Sequence, residues 1–453
     1  MKNLRQALVW LSVGLVVGPA AAQLGLPPVS LPTLPVGLPP LIPDTLKTAT
    51  DGVGSTARAG IRIARLAELL RAYPDVLERD PDGNAIVRSQ LLAIAPSDAA
   101  LAAATAEGYI VLRTQSLSGL DTTIVTLQAP ARMRTARALR RLRTLDPAGQ
   151  YDFNPLYLDS GEIFAGPAVQ RPDEPATTPL PGTARARVGL IDGGIDSTHP
   201  ALRSGELHLW GCDTRAIPSA HGTAVASLLA GNALHFHGAA PGAAIYAADV
   251  NCGQPTGGNV ETIAEAFAWL AREQVPVINV SLVGPPNNVL KRVVDATLAR
   301  GSLIVAAVGN DGPAAPPLYP AAYPGVIGVT GVDARRRVLV EAARGPQVFI
   351  AAPGADLVAA APDKRYAQVR GTSFAAPLVA GLLAQALPAL DARAAKEVVN
   401  ELVARAIDLG SPGFDTTYGH GLVGEALRVP GPVDISAENS APDREETGNG
   451  QRH

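Results

Sequence analysis

The sequence predicts an α/β protein: a parallel β-sheet with helices on both faces, preceded by a small α+β domain of ferredoxin-like order. Three observations lead there. From residue 186 onward, short strands that are apolar throughout alternate with helical segments, the pattern of a sheet buried on both sides. Residues 85–153 read β-α-β-β-α-β, the split βαβ unit. Between them, residues 165–185 are rich in Pro, Thr and Ala and poor in large apolar side chains, as an interdomain connection would be. With 453 residues, 47% of them apolar, the chain can bury a core in both domains.

The elements follow in order. Lys2 and Arg5, an apolar run at 7–17 and Ala20-Ala21-Ala22 make residues 1–22 a secretory leader, cut after Ala22. The run is short for a membrane span, and no later stretch reads as one, so a secreted or periplasmic protein without a membrane partner is expected; a short anchor is the alternative. Residues 23–83 hold a Leu-Pro-rich spacer and a helix at 61–70, where Ile63, Leu66, Ala67 and Leu70 share a face. The small domain spans 84–156. A strand at 85–95 precedes an alanine-rich helix that Ser97 or Asp98 can cap. Strands at 109–115 and 121–127 flank the turn at Ser118-Gly119. A helix at 132–145 carries six arginines, read as a solvated face, and a short strand lies at 150–153. Residues 157–185 are the linker.

The large domain spans 186–428. Its strands are expected at 188–191, 244–250, 275–282, 303–308, 326–332 and 348–351, with helices at 222–229, 260–272 and 288–299. On such sheets, ligands sit at the carboxyl ends of the strands. The polar, acidic residues 429–453 read as a disordered tail. A net charge of −3 and few aromatics exclude a nucleic-acid partner. Cys212 and Cys252 are either a disulfide, which export would favour, or two buried thiols.

Four polar residues stand at strand ends or helix starts. Asp192 ends an apolar strand. His221 opens a helix, with Gly222 leaving room for another chain to pass. Asn310 follows the strand at 303–308. Ser373 lies in Gly371-Thr-Ser-Phe-Ala-Ala-Pro377, before an apolar run at 378–387. Singly each has an ordinary reading: a turn Asp, a structural His, a turn Asn, an N-cap Ser. Together they supply what a nucleophilic serine needs: a base for its proton, a carboxylate to orient that base, and a donor for the oxyanion.

At these residues the chain resembles the subtilisin-like serine peptidases (subtilases, the S8 family). Val188-Gly-Leu-Ile-Asp-Gly-Gly-Ile-Asp-Ser-Thr-His-Pro200 resembles the family's Asp motif, His221-Gly-Thr-Ala-Val-Ala226 its His motif, and residues 371–377 its Ser motif. Residues 319–330 and 418–422 also look like family segments. The resemblance implies a secreted serine endopeptidase acting on protein or peptide substrates. Ser373 would be the nucleophile, His221 the base and then the acid, and Asp192 the orienting carboxylate. Asn310 and the Ser373 N–H would form the oxyanion hole. Ser281, Leu282, Val283 and Gly284 would pair with an extended substrate, and Ala307 to Gly309 would line one wall of the first specificity pocket. The split βαβ domain resembles the family's propeptide, implying a zymogen whose own propeptide is an intramolecular inhibitor, removed by self-cleavage within 153–185. No cofactor is implied. Calcium, which well-known members bind, receives no site, because the loop at 231–238 offers few oxygen ligands beyond Asn232, and His235 with His237 makes a weak metal site. Departures from the family pattern are Ala224, Gly193, Phe374 and Val283. Asp311, next to Asn310, either favours a basic side chain in the substrate or is simply solvated. A silent binding scaffold and a lipase or esterase are the alternatives; no Gly-x-Ser-x-Gly elbow surrounds Ser373.

Overall fold

Seven parallel strands form the central sheet of the computed structural model, which describes residues 60–169, 186–203, 205–214, 217–233 and 236–428. The leader, the spacer up to residue 59, the linker from 170 to 185 and the tail lie outside the described residues. Across the sheet the strands run Ile350–Pro353, Ile327–Val332, Leu303–Ala307, Val277–Val280, Arg187–Asp192, Ala244–Asp249 and Leu207–Trp210. All six neighbouring pairs are parallel. Alternate residues feed two cores, as a pleated strand requires. Val188, Leu190, Val305 and Ala307 face the helices Ala220–Ala230 and Thr372–Ala386. Ile191, Ile278, Ile304 and Ala306 face Val260–Arg272 and Asn288–Ala299. The register aligns Asp192 with Asp249, and Ile191 with Val280, so the strands end in one row. Ser219, Asn259 and Asn287 cap the helices that follow, each accepting N–H bonds from the first turn.

The small domain is a five-stranded sheet. Ala85–Ile94, Thr122–Gln128, Ile110–Leu117 and Gln150–Pro155 stand where the sequence pattern puts them, within a few residues. Helices Asp98–Ala106 and Thr135–Leu145 cover one face through Ala104, Ala138, Leu139 and Leu142. Ser97 is the N-cap of the first, accepting from Ala100 N–H at 3.1 Å. The opposite face, with Leu92, Leu117, Leu120 and Ile124, shares a core with the large domain. Polar contacts tie the two: Asp152 Oδ2 accepts from Asn288 N–H at 2.8 Å, Asn287 Nδ2 donates to Phe153 O at 3.0 Å, and Thr126 Oγ1 donates to Glu261 at 2.6 Å.

Helix Ile61–Ala72 stands where the spacing puts it, and with strand Leu77–Arg79 it packs against Ala85, Val87, Leu156 and Leu158, so the small domain begins upstream of residue 84. Several elements escape the sequence pattern, that strand among them. Hairpin Leu357–Ala361/Arg365–Arg370 and helix Ala392–Ala404 follow the main sheet. The largest difference falls inside the linker. Leu158–Asp159 pairs antiparallel with Leu282–Val283, and Glu162–Val169 pairs with Arg365–Arg370. These short segments carry no strand periodicity; their partners impose it.

Cys212 and Cys252 form a disulfide joining the loops after Leu207–Trp210 and Ala244–Asp249. Among the described residues, one group of candidate metal ligands gathers: Cys212, Asp249 and Cys252, whose sulfurs are the disulfide. His237 Nδ1 bonds Asn232 at 3.1 Å, and His235 lies outside the described residues. Among the described residues no helix is long and apolar enough to cross a membrane.

Candidate active site

Asp192 is the last residue of its strand and is 1% exposed. One carboxylate oxygen accepts from the Gly193 N–H at 2.7 Å. His221 is the second residue of helix Ala220–Ala230. A side chain at Gly222 would meet the Gly194 carbonyl oxygen at 2.6 Å, so glycine lets the helix start sit on the turn that follows Asp192. His221 Nδ1 thereby lies 2.9 and 3.1 Å from the two Asp192 oxygens. Burial pushes the imidazole pKa down, but the facing carboxylate of Asp192 outweighs it and holds the group above its ordinary value. His221 Nε2 is buried and has no hydrogen-bond partner among the described residues.

Ser373 is the second residue of helix Thr372–Ala386, and Gly371 is the N-cap, so the serine is not the cap that its position in the motif suggested. Gly371 has φ +138°, and a side chain there would lie 2.8 Å from Asn310 Nδ2 and 2.9 Å from Gly161 Cα. Glycine is therefore required twice over, by conformation and by space. The Ser373 hydroxyl donates to Ser281 O at 3.2 Å, and the ring of the next residue, Phe374, lies 5.4 Å from that of His221. The fully buried serine and the Asp192–His221 pair, with its orphaned Nε2, thus all lie at the row of strand ends.

Asn310 Oδ1 accepts from the Thr372 N–H at 3.2 Å, which turns the amide NH2 into the site. There Nδ2 donates to the Ser160 carbonyl oxygen at 2.5 Å. Ser160 follows the strand Leu158–Asp159, and its own hydroxyl lies 3.3 Å from Ser373 Oγ. The chain's own linker therefore crosses the site with one carbonyl oxygen held by Asn310. Leu282 and Val283 pair with this segment. Ser281 touches Ser373 twice, through its carbonyl and through its hydroxyl bond to Ser373 O at 2.9 Å. Gly284 pairs instead with Tyr319 and stands against the Tyr157 ring. Ala307 is buried at its strand end, and a side chain at Gly309 would strike Leu318 at 2.6 Å.

Sequence reasoning missed Ser160, Gly161 and Thr372. Thr372 sits inside the Ser motif, yet nothing in its type announces that its N–H anchors Asn310. A sequence model of the subtilase family, Peptidase_S8, matches residues 184–421. The chain belongs to the subtilases. It is a subtilisin-like serine endopeptidase. Subtilisin DY of Bacillus licheniformis is 33% identical over 248 residues, 53% of this chain and 89% of that protein. Subtilisin Savinase of Lederbergia lenta is 35% identical over 242 residues, 52% and 88% of the two chains. Among solved structures, fervidolysin from Fervidobacterium pennivorans shares the fold, with a TM-score of 0.59 at 20% identity over 78% of this chain and 62% of its own. In this subtilase the residues before 184, outside the family match, include the segment lying in the site.

Proposed function

We propose that this subtilase is exported as a zymogen and frees itself by cutting the Ser160–Gly161 bond. One observation carries the reading: the Ser160 carbonyl oxygen lies 2.5 Å from Asn310 Nδ2, while the residues before it are strand-paired with Leu282–Val283. A peptide held that way is presented as a substrate. Ser373 Oγ turns from the Ser281 carbonyl toward His221 Nε2, gives up its proton there and attacks the Ser160 carbonyl carbon. The negative oxygen that forms is met by Asn310 Nδ2 and the Ser373 N–H at the positive end of the helix. His221, balanced by Asp192, then donates its proton to the Gly161 nitrogen, and the C–N bond breaks. Water, activated by His221, hydrolyses the Ser160–Ser373 ester. The same steps on other chains make the mature activity, and the basic and apolar start of the sequence supports export.

Ser373→Ala tests the reading. The full chain should accumulate uncut, whereas wild type should yield a new N-terminus reading Gly-Glu-Ile-Phe. Cutting of Ser373→Ala at the wild-type rate, or a wild-type first cut elsewhere, overturns it.

A further inference from the structure

Helix Ile61–Ala72 lies outside the split βαβ unit, yet it reaches the active site. Arg62 Nε lies 3.1 and 2.9 Å from the two Asp311 oxygens, and its Nη2 bonds the same carboxylate. This fork bridges 249 residues of sequence. Both side chains are buried, Arg62 to 9% exposure and Asp311 to 5%. Asp311 is the residue directly after Asn310. One turn along the helix, Arg65 bonds the carboxylate of Asp159, next to Ser160. Leu66, with Leu69 and Leu70, packs in the cluster that holds Leu156 and Leu158. The helix thus grips the cleft at two points: the peptide that lies in it, and the wall beside the oxyanion donor.

We propose that Asp311 is a docking site for a guanidinium, and that Arg62 in it makes helix Ile61–Ala72, which packs on the edge of the five-stranded sheet, a second inhibitory element that keeps the cut N-terminal piece on the enzyme. The proposal rests on the self-processing reading, because only cleavage turns this contact into one between two chains. The sheet docks through Asn287, Asn288 and Glu261. The helix bonds both Asp311, beside Asn310, and Asp159, next to Ser160. A buried, bidentate arginine–carboxylate pair is directional and little screened by salt. Removing one partner leaves the other charge buried and unpaired, which slows nothing in the bond-breaking step but speeds dissociation.

The test uses the full chain carrying Arg62→Ala. After refolding, the Ser160–Gly161 bond should be cut at the wild-type rate, followed by gel and N-terminal sequencing. Activity on an added peptide should appear earlier, and the N-terminal piece should leave the enzyme about 10²-fold faster by size exclusion. The exchange Arg62→Asp with Asp311→Arg should restore slow release. An unchanged lag and unchanged co-elution of the piece overturn the proposal. A second arm separates it from the cleavage reading. In Ser373→Ala protein confirmed uncut by intact mass, Arg62→Ala should speed amide exchange across residues 61–72; unaltered exchange there overturns the docking of Arg62 even if cleavage proceeds as described.

Discussion

Gly161 follows the bond proposed to be cut, and it stands against Phe374. A Cβ placed on it would lie 2.8 Å from Phe374 Cζ and 3.2 Å from Cδ2, and nearer still to Cε2. Ordinary contact begins at 3.4 Å. Phe374 is fully buried in the core around the nucleophile helix, so the ring cannot yield. The peptide must move instead, by about 1 Å to clear Cε2, and a 1 Å misplacement of a reacting group costs about 10²-fold. Gly161→Ala should therefore slow self-cleavage by about 10²-fold. The assay is conversion of refolded full chain to the shorter form, followed by intact mass. Any enzyme that does mature should turn over a small peptide normally, which separates slow cutting from failed folding. Adding Phe374→Leu, which shortens the ring, should restore much of the rate. Conversion of Gly161→Ala at the wild-type rate, with the same new N-terminus, would refute the reasoning that places Gly161 over Phe374 during the cut.

Three further outcomes follow from the same geometry. Asn310→Ala removes the donor to Ser160 O and should lower turnover by about 10²–10³, the loss known for one oxyanion donor of a subtilisin; an unchanged kcat would place the donor elsewhere. His221 must be neutral to accept a proton, and Asp192 holds its pKa above the ordinary value, so cleavage should fall as pH drops through that raised value; Asp159 lifts it further, so Asp159→Asn should move the acid limb of self-cleavage to lower pH, and a shift upward would contradict this. Val283 and Leu318 lie in the core cluster with Ala307, and Leu318 abuts Gly309; on the proposed reading, in which Ala307 to Gly309 wall the first specificity pocket, peptides with Ser or Ala before the cut should outpace those with Phe, and Leu318→Ala should shift the kcat/KM ratio toward Phe by about tenfold or more.

The candidate site residues were legible because chemistry and backbone coincide in them. Asp192 ends an apolar strand, His221 and Ser373 open apolar helices, and each position is marked by glycines that the packing demands. The parallel sheet was legible for the same reason, since strands buried on both faces must be apolar throughout. What lies across the site was not. Residues 158–160 have no periodicity to read: two residues become a strand only because Leu282 and Val283 offer free backbone groups. Helix Ile61–Ala72 announced itself by spacing, but a contact across 249 residues leaves no local mark, and Arg62 looks like any solvated arginine until Asp311 is seen beside it. Asp311 allowed two readings, a receptor for a substrate's basic side chain or a solvated carboxylate; the structure pairs it with Arg62.

Strand Glu162–Val169 is held by Arg365–Arg370 on the far side of the Ser160–Gly161 bond. On the self-processing reading, that hold outlasts the cut. The amine released on Gly161 does not diffuse away; it stays beside the ester on Ser373 at a local concentration far above that of any dissolved nucleophile. Religation then competes with water, and the first cut is reversible for as long as the strand stays paired. Maturation becomes a race between resealing and peeling, decided by a few backbone hydrogen bonds rather than by the triad.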